Sequence, residues 1–260
     1  MSTRRLCART LLVTTALLAG VLVSPGQGQT PQPDPYLQWA RVLGRFVNDR
    51  GEVDFRGLAI ERADLDGFLG YVARVSPRTN PELFPGREAA LAYYINAYNA
   101  LSMFNVIDSG FPRSLGGLTK VWFFGVKRFS VGGERMSLYA LENDVIRPLG
   151  DERVHFALNC MSVSCPRLPR EPFLAGGLND QLESAARSFF GESRNLQVQA
   201  ESKRARVSGI LDFYSKDFLA KSPTLIAYIN RYTGKNVPED YRIEFIDYDW
   251  TVNEQRSGRP

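Results

Sequence analysis

The sequence predicts an α+β fold, a helix-rich single domain packed on a small, mainly antiparallel sheet. Three observations lead to it. Residues 88–108 carry Leu91, Tyr94, Ile95, Tyr98, Leu101 and Asn105 at the three-four spacing of a buried helical face. The strand-like stretches cluster after this helix and are joined mostly by short turns, Gly132-Gly133 above all. Helices dominate the first half without regular βαβ alternation, which argues against a doubly wound parallel sheet.

The elements follow in order. Apolar spacing predicts helices over 35–48 and 56–75. The 88–108 helix opens after Pro85-Gly86 and stops at Gly110. Residues 121–126 are aromatic and β-branched and read as a strand. Residues 129–131 and 134–136 flank Gly132-Gly133 as a hairpin, after which Ser137 caps a helix running to Arg147 and stopped by Pro148. Residues 154–159 are a short apolar strand, 180–191 a helix, and 196–199 with 204–208 a second hairpin. Helices over 210–220 and 223–233 precede a last strand over 241–248.

The ends suggest export. Arg4, Arg5 and Arg9 precede an apolar stretch over 11–23, and Ser24-Pro25-Gly26 follows it, which fits a secretory signal peptide over 1–28. That stretch is short for a membrane span, which needs about 20 residues. No membrane span is expected in the mature chain, and a secreted or periplasmic location is. Residues 29–35, with three prolines, read as a linker, 36–253 as one globular domain and 254–260 as a frayed tail. Losing Arg4, Arg5 and Arg9 lowers the formal net charge from +4 to +1, so the basic balance is no argument for a nucleic-acid partner. No phosphate loop, dinucleotide fingerprint or His-Glu-x-x-His helix is present, and no cofactor is expected.

The chemistry concentrates in one segment. His155 is the only histidine, and Cys160 and Cys165 follow it; the third cysteine, Cys7, lies in the expected signal peptide. With one histidine, a multi-histidine metal site is excluded. Four readings compete. Cys160 and Cys165 form a disulfide, as two cysteines in an exported chain invite. One cysteine is a thiolate activated by His155. His155, Cys160 and Cys165 hold a metal, though their spacing matches no standard zinc pattern. Or His155 is a hydrogen-bonded core residue and the cysteines are small hydrophobes. The first two overlap if the disulfide is reversible. On a strand, alternation would point His155 and Cys160 to opposite faces. The loop 162–166 would then bring Cys165 to the histidine, which favours Cys165 as its partner.

An imidazole base usually needs a third group to orient it. Asn99, Asn159, Asp247 and Asp249 are the candidates. Asn96 and Asn99 share a stripe of the 88–108 helix, where a packing hydrogen bond is the plainer role. Asp247 and Asp249 flank Tyr248 at a strand end, where a turn or capping carboxylate is the plainer role. The catalytic set singled out is Cys165, His155, Asn99 and Asp249.

Four segments resemble motifs of the family called domain of unknown function 547. They are Ala92-Tyr-Tyr-Ile-Asn-Ala-Tyr-Asn-Ala-Leu101, His155-Phe-Ala-Leu-Asn-Cys-Met-Ser-Val-Ser-Cys-Pro166, Ile210-Leu-Asp-Phe-Tyr-Ser-Lys-Asp-Phe218 and Asp247-Tyr-Asp-Trp-Thr-Val-Asn253. The resemblance implies a bacterial, exported member. Where this chain has Glu142-Asn143, family members often carry a histidine. The resemblance carries over no catalytic residue, and plant members, with the domain beside coiled-coil segments, keep a binding role open. The His-then-Cys order is similar to that of permuted papain-like enzymes, a likeness at the level of the fold alone. Two functions are carried forward. One is a thiol-dependent hydrolase or acyltransferase using Cys165 and His155. The other is a non-catalytic binding module with a Cys160–Cys165 disulfide.

Overall fold

The structure, a computed structural model, describes residues 34–255. The expected signal peptide, with Cys7 and its three arginines, lies outside the described residues, as do most of the linker and positions 256–260. Asp34 caps the first helix, accepting from the Tyr36 amide at 2.8 Å, with Pro35 at its first position. Helix α1 spans Pro35–Phe46. Where one helix is expected over 56–75 there are two, α2 (Phe55–Ile60) and α3 (Ala63–Arg74), each with its own start. Asp54 caps α2 through the Gly57 amide, and Asp64 and Asp66 place negative charge in the first turn of α3.

Helix α4 (Gly86–Asp108) is the axis of the molecule. Its buried residues run round the whole circumference from Leu91 to Met103, as in a helix enclosed by other elements. Such a helix has no solvent face for its polar side chains, so Asn96, Asn99, Ser102 and Asn105 are all buried. The three amides bond to segments wrapped around the helix. Asn96 receives the Trp39 indole at 3.1 Å and the Phe173 amide at 3.0 Å, and gives a bond to the Phe173 carbonyl at 2.7 Å. Asn99 donates to the Ala157 carbonyl at 3.0 Å and accepts from the Asn159 amide at 2.7 Å. Asn105 donates to the Phe123 carbonyl at 3.0 Å.

Two stretches expected as strands are helical. Helix α5 (Leu118–Lys120) continues as a π-turn over Val121–Val126. Only Phe123 of that turn is buried, while Val121, Trp122 and Val126 are exposed, so its apolar residues do not line a sheet face. Residues Glu152–Phe156 form a 3-10 turn opened by Asp151, whose carboxylate accepts from the Arg153 amide. The Ala157 carbonyl and Asn159 amide beyond it are met by the Asn99 side chain, so the segment needs no neighbouring strand.

The remaining expectations hold more closely. Strands β1 (Phe129–Val131) and β2 (Glu134–Met136) pair antiparallel across Gly132-Gly133, both at positive φ. A Cβ on Gly132 would stand 2.1 Å from the Ser76 Oγ, so a side chain fails there on space as well as on conformation. Ser137 caps α6 (Leu138–Ala140) through the Ala140 amide. The helix runs on as a π-turn over Leu141–Ile146 and a 3-10 turn over Arg147–Leu149. Helix α7 spans Leu178–Gly191. Strands β3 (Leu196–Gln199) and β4 (Arg204–Ser208) form the expected hairpin. Strand β5 (Arg242–Ile246) joins β4 in parallel, with Val207 opposite Phe245. Helices α8 (Ile210–Phe213), α9 (Ser215–Leu219) and α10 (Leu225–Asn230) connect them. No helix among the described residues is long and apolar enough to cross a membrane.

The core has two clusters. The larger is built on α1 to α4, and the smaller holds Phe156, Phe189, Phe190, Phe218 and Tyr228 beneath β3–β5. The C-terminal segment ties distant loops together: Leu115 bonds to Trp250, Val163 to Thr251, and the Asn253 amide to Met161. Gln255 still bonds the carbonyls of Phe46 and Glu52, so ordered pairing passes the boundary expected at residue 254.

Asn99 serves two backbone groups that have no other hydrogen-bond partner among the described residues, and orphaning buried groups costs about 1–3 kcal/mol each. Asn99→Leu is expected to lower the free energy of unfolding by about 3 kcal/mol. Urea denaturation measures it, and a loss below about 1 kcal/mol would show that this clamp is not needed.

Candidate functional site

A cavity of about 420 Å³ opens where the two core clusters meet. His155, Cys160 and Cys165 all line it, together with Glu142, Tyr214 and Tyr248. The 3-10 turn explains how. Val154 enters the larger cluster, Phe156 the smaller one, and His155 between them turns to the cavity. Because no strand forms here, the alternation that would have separated His155 from Cys160 does not apply.

His155 is almost fully buried and held on three sides. Its ring stacks on Tyr214 with centroids 3.7 Å apart, and it meets Phe218 in a T-shaped contact with centroids 5.5 Å apart. Its Nε2 bonds the Asp217 carboxylate at 2.8 Å. Tyr214, Asp217 and Phe218 stand at i, i+3 and i+4 across the start of α9, so a single turn supplies platform, carboxylate and edge. Arg147 holds Asp217 with two bonds of 2.8 Å, a fork-on-fork pair. The His155 ring and then the Arg147 guanidinium hold the Asp217 carboxyl well below the usual carboxylate range. An ionised carboxylate only accepts, so Nε2 carries the proton in the neutral ring and Nδ1 has the free lone pair. No hydrogen bond to Nδ1 exists among the described residues.

Beside this pair, Glu142 accepts from the hydroxyls of Tyr98 and Tyr214. Burial and then the Glu142 charge push both phenols up, so they remain protonated donors. Glu142 thus places a buried carboxylate in the cavity wall.

The two sulfurs lie within bonding distance of each other, with Cα atoms 6.3 Å apart. The Cys160 amide donates to the Cys165 sulfur at 3.0 Å. Ser162 Oγ lies 3.1 Å from the Cys160 sulfur and 3.3 Å from that of Cys165. Tyr248 Oη is 3.5 Å and 3.3 Å from the same two atoms. Burial pushes the Tyr248 phenol up, so it too stays a donor. The loop is anchored independently of the sulfurs. Asn159 accepts from the Met161 amide and donates to the Pro166 carbonyl, both at 2.7 Å. Met161 takes a left-handed φ of 69°, uncommon for a side chain of its size, next to Cys160.

The residues singled out from sequence therefore divide. His155 and Cys165 share the cavity, and Cys160 shares it with them. Asn99 bonds only to backbone in these contacts and does not orient the imidazole. Asp249 accepts from the Thr251 amide at 2.9 Å, a turn carboxylate. The orienting group is Asp217, inside the 210–218 motif but absent from the candidates. Its position three residues after Tyr214, on one helical face, was the available signal.

The fold and site define an α+β protein whose aromatic-walled cavity holds a carboxylate–imidazole pair beside two apposed cysteines. Residues 82–190 match the model of a family described as protein of unknown function, DUF547. The motifs beginning at Ala92 and His155 lie inside the match, and those supplying Asp217 and Tyr248 lie beyond it. No curated protein and no solved structure matches the chain.

Asp217→Asn removes stability that the depressed carboxyl supplies. That stability is fully present above about pH 4, the unfolded value, and is lost as pH falls through the lower folded value. With the side chain 27% exposed, solvent screening limits the effect to about 1 kcal/mol. The stability gap between wild type and Asp217→Asn is expected to be present at pH 7 and to narrow below pH 4. A gap independent of pH in urea unfolding would count against this ion pair.

Proposed function

We propose that the protein is an exported thiol-dependent hydrolase or acyltransferase, with Cys165 as nucleophile and His155 as base, isolated from oxidising surroundings as a Cys160–Cys165 disulfide. The observation that carries this reading is the His155–Asp217 pair. It leaves Nδ1 without a hydrogen-bond partner among the described residues, and His155 lines the cavity that Cys165 also lines. A thiol nucleophile needs a base, and the base needs an orienting group. The Cys160 amide donates to the Cys165 sulfur, and the protonated Tyr248 hydroxyl lies 3.3 Å from it. They favour a thiolate there over one at Cys160, which lacks the amide. Export rests on the basic, apolar and polar succession of residues 4–26.

The apposed sulfurs also favour a second reading, a binding module whose disulfide fastens a loop. Against it, Asn159 and the C-terminal segment already fasten that loop. A bridge across so short a segment adds only about 2 kcal/mol by loop-closure entropy.

The test is alkylation of the reduced protein across pH, with the modified cysteine mapped. Cys165 is expected to react first, and His155→Ala to slow it by about tenfold or more. Hydrolysis of activated esters is expected after reduction and absent in Cys165→Ser. If Cys165 reacts no faster than a free thiol, or equally fast in His155→Ala, the enzyme reading fails and the binding module stands.

A further inference from the structure

Cys165, with its neighbour Pro166, lines two cavities. One is the His155 cavity. The other is a second cavity of about 410 Å³, lined by Cys165, Arg50, Glu52, Arg167, Glu192 and Arg194 among others. Cys160 lines the first and not the second. The second cavity holds no imidazole and is built around charge. Arg50 pairs with Glu52 at 3.0 Å, and Arg167 and Arg194 both converge on Glu192. Three guanidiniums face two carboxylates, which leaves a surplus positive charge. Arg194 also donates to the carbonyls of Val163 and Cys165, which sets that charge against the cysteine's own backbone.

We infer that the second cavity is a docking site for a small carboxylate-bearing thiol that reduces the Cys160–Cys165 disulfide by attack on Cys165. The inference rests on the disulfide form taken above. The volume suits a small molecule and not a folded partner. Guanidiniums match a carboxylate in geometry as well as in sign. The thiolate of the small molecule attacks the Cys165 sulfur, and the bond between the two protein sulfurs breaks. Cys160 leaves with the electron pair, on the side where Ser162 and Tyr248 hydroxyls lie 3.1 and 3.5 Å from its sulfur, and takes up a proton from solvent. A second thiolate of the same kind attacks the small molecule's sulfur in the mixed disulfide. It releases Cys165 as a thiolate and carries off the reductant as its own disulfide. Two thiols are oxidised for one protein disulfide reduced. Reductant thus arrives through one cavity, and the freed nucleophile meets substrate in the other.

The experiment follows reduction of the oxidised full-length protein by 3-mercaptopropionate and, separately, by 2-mercaptoethanol and cysteamine. Dividing each variant's rate by that of wild type cancels the intrinsic reactivity of each thiol. Arg50 is 75% exposed in its side chain, so its replacement leaves the fold intact. Arg50→Gln is expected to slow 3-mercaptopropionate by about threefold, Arg50→Glu more, with 2-mercaptoethanol unchanged and cysteamine slightly faster. Lys120→Gln, in the His155 cavity, is expected to change none of the three ratios. Equal ratios for all thiols in both Arg50 variants overturn the inference. So does a charge-selective loss in Lys120→Gln, which would place attack in the other cavity. Two free thiols in protein purified without reductant would overturn it together with the disulfide form. Alkylation independent of His155 would remove the enzyme reading alone and leave charge-selective reduction standing.

Discussion

The buried amides of α4 are the constraint on which the rest of the structure depends. A helix enclosed on every side exposes no polar face, yet Asn96, Asn99 and Asn105 lie along it. Each can be buried only if its amide finds a partner. The partners are backbone groups of irregular segments that would otherwise be orphaned in the interior: Phe173, Ala157 with Asn159, and Phe123. Helix side chains thus do the work that a neighbouring strand does in a sheet. This is why a domain with so little β structure encloses so much loop. The same interaction fixes the site, because the segment that Asn99 clamps begins two residues after His155 and ends one before Cys160.

That clamp explains how one short turn serves two cores and a cavity. Val154 and Ala157 belong to the larger cluster and Phe156 to the smaller. His155 lies at the seam, where two separately packed clusters leave a gap. The gap is lined by aromatic rings and by polar groups that are partnered to one another: Arg147 to Asp217, Asp217 to His155, Glu142 to two tyrosines. A network satisfied in this way costs little to bury and holds its members in one geometry. Tyr214 joins its two halves, stacking on the imidazole while donating to Glu142.

How much of this was legible follows from how local each signal is. The Gly132-Gly133 hairpin, the Ser137 cap and the long α4 stripe are written in adjacent residues and match what forms. The stretches 121–126 and 154–159 are short and apolar, a pattern that a buried strand and a helical turn share. Long-range contacts decided them, Asn105 for one and Asn99 for the other. The parallel pairing of β4 with β5 links segments 38 residues apart in register and leaves no trace in either. In the site, scarcity alone marked His155 and both cysteines. Asp217 and Tyr248 escaped for a physical reason. Asp217 lies 62 residues from the imidazole and meets it only when α9 docks. In the 247–249 segment the carboxylates of Asp247 and Asp249 carry the conspicuous chemistry, whereas the phenol between them reaches the sulfurs.

The arrangement around Cys165 then reads as a division of labour between the two faces of one loop. A disulfide whose only task was to fasten the loop would be redundant beside Asn159, which already spans it from the Met161 amide to the Pro166 carbonyl. A nucleophile needs the loop to keep its shape when the sulfurs separate, and the Asn159 bridge meets that need. The left-handed Met161 points the same way. Backbone strain of this kind persists only where surrounding contacts over-determine it, and it concentrates at functional sites. Here the amide of Met161 is held by Asn159 and its carbonyl by Asn253, so the bend does not depend on the sulfur–sulfur bond. The shape of the loop is therefore set by side-chain amides and the C-terminal segment, whether or not the two sulfurs are joined.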